Sequence, residues 1–158
     1  MRKVALAMLL SGCVVPPNDC VTACGMGVRG FSDCSELNAY EAVGVEAFSY
    51  LYDALCQRLD SVVLQVKNTP DGSWVDEFGR KVDGLTWCDL AFVEVGNSNW
   101  QTNAYFHELA HVAQCPFQDS KHETWEGLGI WSHLDALKAS FVENNQAAPD
   151  DLTHADVP

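Results

Sequence analysis

Near the middle of this 158-residue chain, His107-Glu108-Leu109-Ala110-His111 forms a His-Glu-x-x-His motif. Residues four apart lie on one face of a helix, so both imidazoles can point at one ion. Zinc takes imidazole nitrogens as ligands and keeps a water when the protein supplies only three of them. A glutamate directly after the first histidine can reach that water as a general base. His107 and His111 are therefore read as metal ligands, Glu108 as the catalytic base, and one Zn2+ per chain as the cofactor. A third ligand has to come from elsewhere, and the candidates are His122, Glu123, Glu126 and His133. His122 follows His111 by eleven residues, across a loop containing Pro116. It is the first choice, because imidazole is a common neutral third ligand. Glu126 is the alternative if residues 123–127 make a helical turn, and Glu123 ranks behind it. His133 reads as a supporting or surface residue, and His154, in the tail, as inert.

The motif needs a helix, and the surrounding pattern supplies one over about Thr102 to Gln114. Phe106, Leu109, Ala110, Ala113 and Phe117 trace an apolar stripe with the histidines to its side. Before it, Trp87 to Val95 reads as a strand closed by the turn residues Gly96-Asn97-Ser98-Asn99. Ser61 to Lys67 is short and β-branched, a second strand, followed by turn chemistry in Asn68-Thr69-Pro70-Asp71-Gly72. Residues 73–86 read as a hairpin or loop. Further upstream, Leu37, Tyr40, Val43, Ala47 and Leu51 recur at helical spacing, and the pattern predicts one helix from Cys34 to Leu59 with Ser35 as N-cap. Residues 115–129 read as irregular, and a last helix is expected from about Ser132 to Asn144. Trp87, Trp100, Trp125 and Trp131 are read first as core packing, second as the lining of an apolar cleft.

The N-terminus carries Arg2 and Lys3, a short apolar run from Val4 to Leu10, then Leu10-Ser11-Gly12-Cys13. The run is far below the roughly 20 residues that span a bilayer. The order resembles the lipobox of bacterial lipoproteins. That resemblance implies a signal peptide over 1–12, acylation of Cys13, and attachment to the bacterial envelope by a lipid anchor only. Of seven cysteines, lipidation leaves six: Cys20, Cys24, Cys34, Cys56, Cys88 and Cys115. In an oxidising compartment these are expected to form three disulfides, with a metal site on Cys20-x-x-x-Cys24 as the minor alternative. A continuous helix would hold Cys34 and Cys56 about 30 Å apart, beyond bonding reach. Cys88 and Cys115 bracket a strand and the antiparallel motif helix, which brings them together as the favoured pair. Composition fits one packed domain, with 47% hydrophobic and 20% charged residues. A net charge of −13 excludes a basic surface for nucleic acid. The tail, 145–158, is acidic and proline-flanked.

The stretch from Thr102 to Gln114 resembles the active-site helix of zincin metallopeptidases beyond the three motif residues. The metzincin branch is excluded, because its later glycine and histidine would fall on Gln114 and Phe117. A later histidine followed by an aromatic, here His122 and Trp125, is similar to SprT-like and small exported bacterial zincins. The resemblance implies an α+β fold: an N-terminal helix, a short mixed or antiparallel sheet, the motif helix and a C-terminal helix. It also implies a metallopeptidase domain over 34–144 and a peptide or protein substrate lying along Trp87–Val95 as edge strand; ahead of that domain, the prolines and glycines of residues 13–33 read as an irregular tether and disulfide-stapled entry. Tyr50, Tyr52 and Tyr105 are conceivable partners for the oxyanion.

Overall fold

The computed structural model describes residues 17–97, 104–117 and 122–143. The expected signal peptide, Cys13, Trp100, the first residues expected in the motif helix, the acidic tail and His154 lie outside the described residues. Within them the chain is α+β, with four α-helices beside a five-stranded mixed sheet and a separate two-stranded hairpin. No described helix is long and apolar enough to cross a membrane.

The sheet is built around β3 (Val63–Lys67) and β7 (Phe92–Gly96), which run parallel. Their period-two pattern sends Leu64, Val66, Val93 and Val95 into the core under the helices. Gln65, Lys67, Phe92 and Glu94 point to the opposite face and are half-buried. The segment expected as an irregular tether contributes two strands instead. These are β1 (Cys20–Val21) and β2 (Gly27–Arg29), joined antiparallel, with β2 parallel to β3. Period-two patterning cannot be read in strands of two and three residues, which is why glycines and prolines dominated the sequence signal there. Parallel pairing of β2 with β3 needs a long crossover, and α1 (Cys34–Phe48) with α2 (Leu55–Leu59) supplies it.

The single helix expected over 34–59 is therefore two. The Ser49 amide and hydroxyl both bond the Glu46 carbonyl, and the Leu51 and Tyr52 amides both return to Phe48, which ends α1. Its N-cap is Asp33, two residues before the expected Ser35. The Asp33 carboxylate accepts the Ser35 amide at 2.9 Å from an extended backbone.

The strand expected over 87–95 is a corner. β6 (Gly84–Trp87) ends at Trp87, Cys88–Leu90 make a 3-10 turn, and Ala91 takes a left-handed φ of 47° before β7 begins. β6 and β7 are antiparallel, with Trp87 opposite Phe92 and Gly84 opposite Val95. Among the described residues the sheet thus ends at β6 on this side and at β1 on the other, and β7 is internal. Between β3 and β6 the chain makes the hairpin of β4 (Trp74–Val75) and β5 (Lys81–Val82), the hairpin expected in 73–86.

Three disulfides join Cys20–Cys34, Cys24–Cys56 and Cys88–Cys115. They use all six described cysteines, so Cys20 and Cys24 form no metal site. Such density belongs to an oxidising environment. The first two bonds tie β1 and its turn to the helical crossover. Glu41 of α1 assists them from the core, accepting the Thr22 hydroxyl and the Cys24 amide. Burial pushes its carboxyl upward, against the two hydrogen bonds. The third bond clamps the end of β6 to the end of the motif helix. Its closed loop spans 27 residues, for which chain entropy gives about 3–4 kcal/mol. A Cys88→Ser, Cys115→Ser double variant is expected to lose that stability in urea unfolding while the other two disulfides persist. A midpoint equal to wild type would show that the clamp contributes nothing.

Candidate metal centre

Helix α3 (Tyr105–Gln114) carries the motif and runs through the middle of the molecule. It packs on β6 and β7 on one side and on α1, α2 and α4 (Ile130–Glu143) on the others. Every residue of α3 except half-buried His107 is buried. The expected apolar stripe ends earlier than the spacing suggested: Phe117 leaves the helix in a 3-10 turn and is 63% exposed. Helix α4 starts at Ile130, two residues before the expected Ser132.

After α3 the chain returns in a short 3-10 turn, His122–Thr124. That turn delivers His122 to the motif pair. His122 Nε2 lies 2.9 Å from His107 Nε2 and 3.0 Å from His111 Nε2. Among the described residues these three form the group that could hold a metal ion. Glu123 and Glu126 stay exposed and outside the group. His133 lies elsewhere, stacked on the Tyr50 ring at 4.5 Å.

The donor chemistry fits a cation. A ring nitrogen has one in-plane position, filled by a proton or by a lone pair. His122 Nε2 therefore cannot serve both neighbours by hydrogen bonds, whereas a central cation accepts all three lone pairs. Burial first, and then the charge of His122, pull His111 down to about 3, which keeps its imidazole neutral and able to donate.

Two residues outside the motif shape this cluster. Trp125 is fully buried, and its ring centroid lies 4.5–4.7 Å from all three imidazoles. Gln114 accepts the Trp125 indole N–H at 2.6 Å and donates to Thr124 Oγ1 at 2.8 Å. It thus ties the His122 turn back to the helix that carries the other two histidines. The rings are held by this packing as much as by hydrogen bonds, since His111 Nδ1 is buried without a hydrogen-bond partner. Of the expected tryptophans, Trp125 and half-buried Trp131 wall the cluster, and Trp87 faces the other side of the sheet. The sequence offered Gln114 only as a departure from a family pattern, and its tethering role depends on a turn that no periodicity announces.

Glu108 points at the edge strand. Thr86 donates its hydroxyl to Oε2 at 2.6 Å. Gly84, two residues back on the same face of β6, leaves the room the carboxyl occupies. A β-carbon there would overlap the carboxylate, 2.7 Å from Cγ and 2.8 Å from Cδ. Burial raises Glu108 to about 8, against the lowering effect of the Thr86 bond. A cation nearby acts in the opposite direction and favours the carboxylate. Of the tyrosines considered for an oxyanion, Tyr105 is buried in the core, where burial and Glu41 raise its hydroxyl well above the usual range. Tyr50 donates to the Leu128 carbonyl at 3.0 Å, and Tyr52 packs half-buried on the core.

No protein-family model, curated protein or solved structure matches this chain.

Proposed function

We propose that this chain is a zinc-dependent metallopeptidase of the zincin type, exported to the bacterial envelope and held there by a lipid on Cys13. The observation that carries the reading is the convergence of three imidazoles, two from a His-Glu-x-x-His helix and one from a following turn, with Glu108 as their helix neighbour. His107, His111 and His122 would hold the zinc ion. When bound, zinc in a three-imidazole site polarises a carbonyl and makes water nucleophilic at neutral pH. Glu108 accepts the proton of the attacking water and passes it to the leaving amine. Thr86 and Gly84 hold the carboxyl in place for both transfers. The edge of β6 that is unpaired among the described residues is the place for an extended peptide, in place of the strand over 87–95.

The second reading is a non-catalytic zinc-binding envelope lipoprotein, a structural or binding module. One observation favours it: Glu108 is only 4% exposed and already bonded to Thr86. A cleavage screen separates the two. The oxidised full-length chain, loaded with zinc, is incubated with a mixture of defined peptides, in parallel with protein stripped by a chelator. The peptidase reading expects new amino termini with the loaded protein alone. Loaded protein that cleaves nothing supports the second reading.

A further inference from the structure

The sheet face turned away from the helices carries a groove of about 550 Å³ between the β4–β5 hairpin and strands β6 and β7. That is the size of a small-ligand or side-chain site. We propose that this groove receives a large apolar or aromatic side chain of an extended peptide laid along β6, so that the substrates are peptides bearing such a residue. The inference rests on the peptidase reading above and deepens it.

Four observations carry it. First, three strongly exposed apolar side chains gather here: Val75 at 66%, Phe78 at 74% and Leu90 at 70%. Exposed apolar surface collected in one concavity marks a binding site rather than scattered surface residues. Second, its floor is aromatic, with Trp87 and Phe92 in tilted contact at 5.8 Å. Third, both cations that line it, Lys67 and Arg80, are paired within it, and the remaining lining charge, Glu77, is exposed. Lys67 bonds Glu94 at 3.0 Å and lies over the Trp74 ring, and Arg80 bonds Asp76 at 2.6 Å. A groove whose cations are engaged this way suits an uncharged occupant. Fourth, β6 joins the groove to the metal centre. Gly84 and Thr86 face Glu108, while Leu85 and Trp87 lie opposite Glu94 and Phe92 on the groove side. Among the described residues β6 is paired on one side only. A peptide added to that edge alternates its side chains between the two faces. One residue then meets the Glu108 side and its neighbours meet the groove.

The test uses the full-length, zinc-loaded Glu108→Gln protein and three synthetic octapeptides of Ser, Thr and Gly that differ only in one central residue, Phe, Ala or Asp. Binding is followed by NMR at the indole N–H signals of Trp74 and Trp87. The Phe peptide is expected to bind about tenfold more tightly than the other two and to shift both indoles. A Val75→Ser, Phe78→Ser, Leu90→Ser triple variant, changing exposed residues alone, is expected to erase that preference with zinc content unchanged. Equal binding of all three peptides, a preference that survives in the triple variant, or indole shifts produced by a soluble oligosaccharide and not by the peptides would each overturn the proposal. The two readings fail separately. A Phe preference without hydrolysis by wild type removes the peptidase and leaves the groove. Hydrolysis by wild type without the preference removes the groove and leaves the peptidase.

Discussion

His122→Ala lowers zinc affinity by at least about a hundredfold, whereas Glu126→Ala leaves it within twofold. Exchanging a group that merely supports a metal ligand costs about 10–100-fold in affinity, and in the proposed site His122 is a ligand itself. Its Nε2 is the atom that meets both others, so its loss leaves two imidazoles on one helix with nothing opposite. Glu126 is exposed, beyond the His122–Thr124 turn. Gln114→Ala is expected to fall between the two, at about tenfold, because it removes the bonds to Trp125 and Thr124 and spares all three nitrogens. Zinc competition against a chromophoric chelator ranks the three variants. Circular dichroism confirms that each remains folded, as the disulfides of the crossover and the β6 clamp should ensure. Stoichiometric, tight zinc in His122→Ala would end the assignment, and loss of zinc in Glu126→Ala would move the third ligand there.

The parts of this site that the sequence displays are those whose geometry is local. Helical spacing places His107 and His111 on one face whatever surrounds them, and the short β-branched run at 61–67 reads as a strand, which the structure forms over Val63–Lys67. Cys88 and Cys115 were also readable as a pair, because a strand, a connection and a returning helix bring their ends together by construction. What escaped is set by tertiary contacts. Glu41 is a charged residue on the buried face of α1, and its purpose appears only once Thr22 and Cys24 are folded over it. The break after Phe48 contains no proline or glycine: residues 49–54 are Ser-Tyr-Leu-Tyr-Asp-Ala. Helix propensity there is overridden by the Cys24–Cys56 bond and by the packing of Leu51 and Tyr52 on the core. The corner at Cys88–Ala91 hides in the same way, because a left-handed alanine has no sequence mark. Reading through it merged two antiparallel strands into one and moved the sheet edge from β6 to β7. The seat of Glu108 is lost with it, since Gly84 and Thr86 fall in the stretch 73–86 that reads as a hairpin or loop.

That seat decides the second large effect. Glu108→Gln is expected to keep the fold and the zinc and to lower peptide hydrolysis by at least about a hundredfold, the low end of what a positioned general base contributes. The exchange is nearly isosteric, so Gly84 still leaves the space. The amide oxygen can still accept the Thr86 hydroxyl that now bonds Oε2. No ligand nitrogen is touched. What disappears is the group able to take a proton, and an amide cannot replace it at any working pH. Peptides cut in the screen of the wild-type chain serve as substrates, with zinc content and thermal midpoint measured on the same preparations. A variant that holds zinc, melts like wild type and still cleaves at more than a few per cent of the wild-type rate would show that Glu108 is not the base. Thr86→Val sharpens the result, because it keeps the base and removes its hydrogen bond. It is expected to lower kcat with KM little changed, by less than Glu108→Gln, and Thr86→Ser is expected to restore most of the loss. A purely structural Thr86 would instead lower the thermal midpoint and leave kcat per folded molecule unchanged.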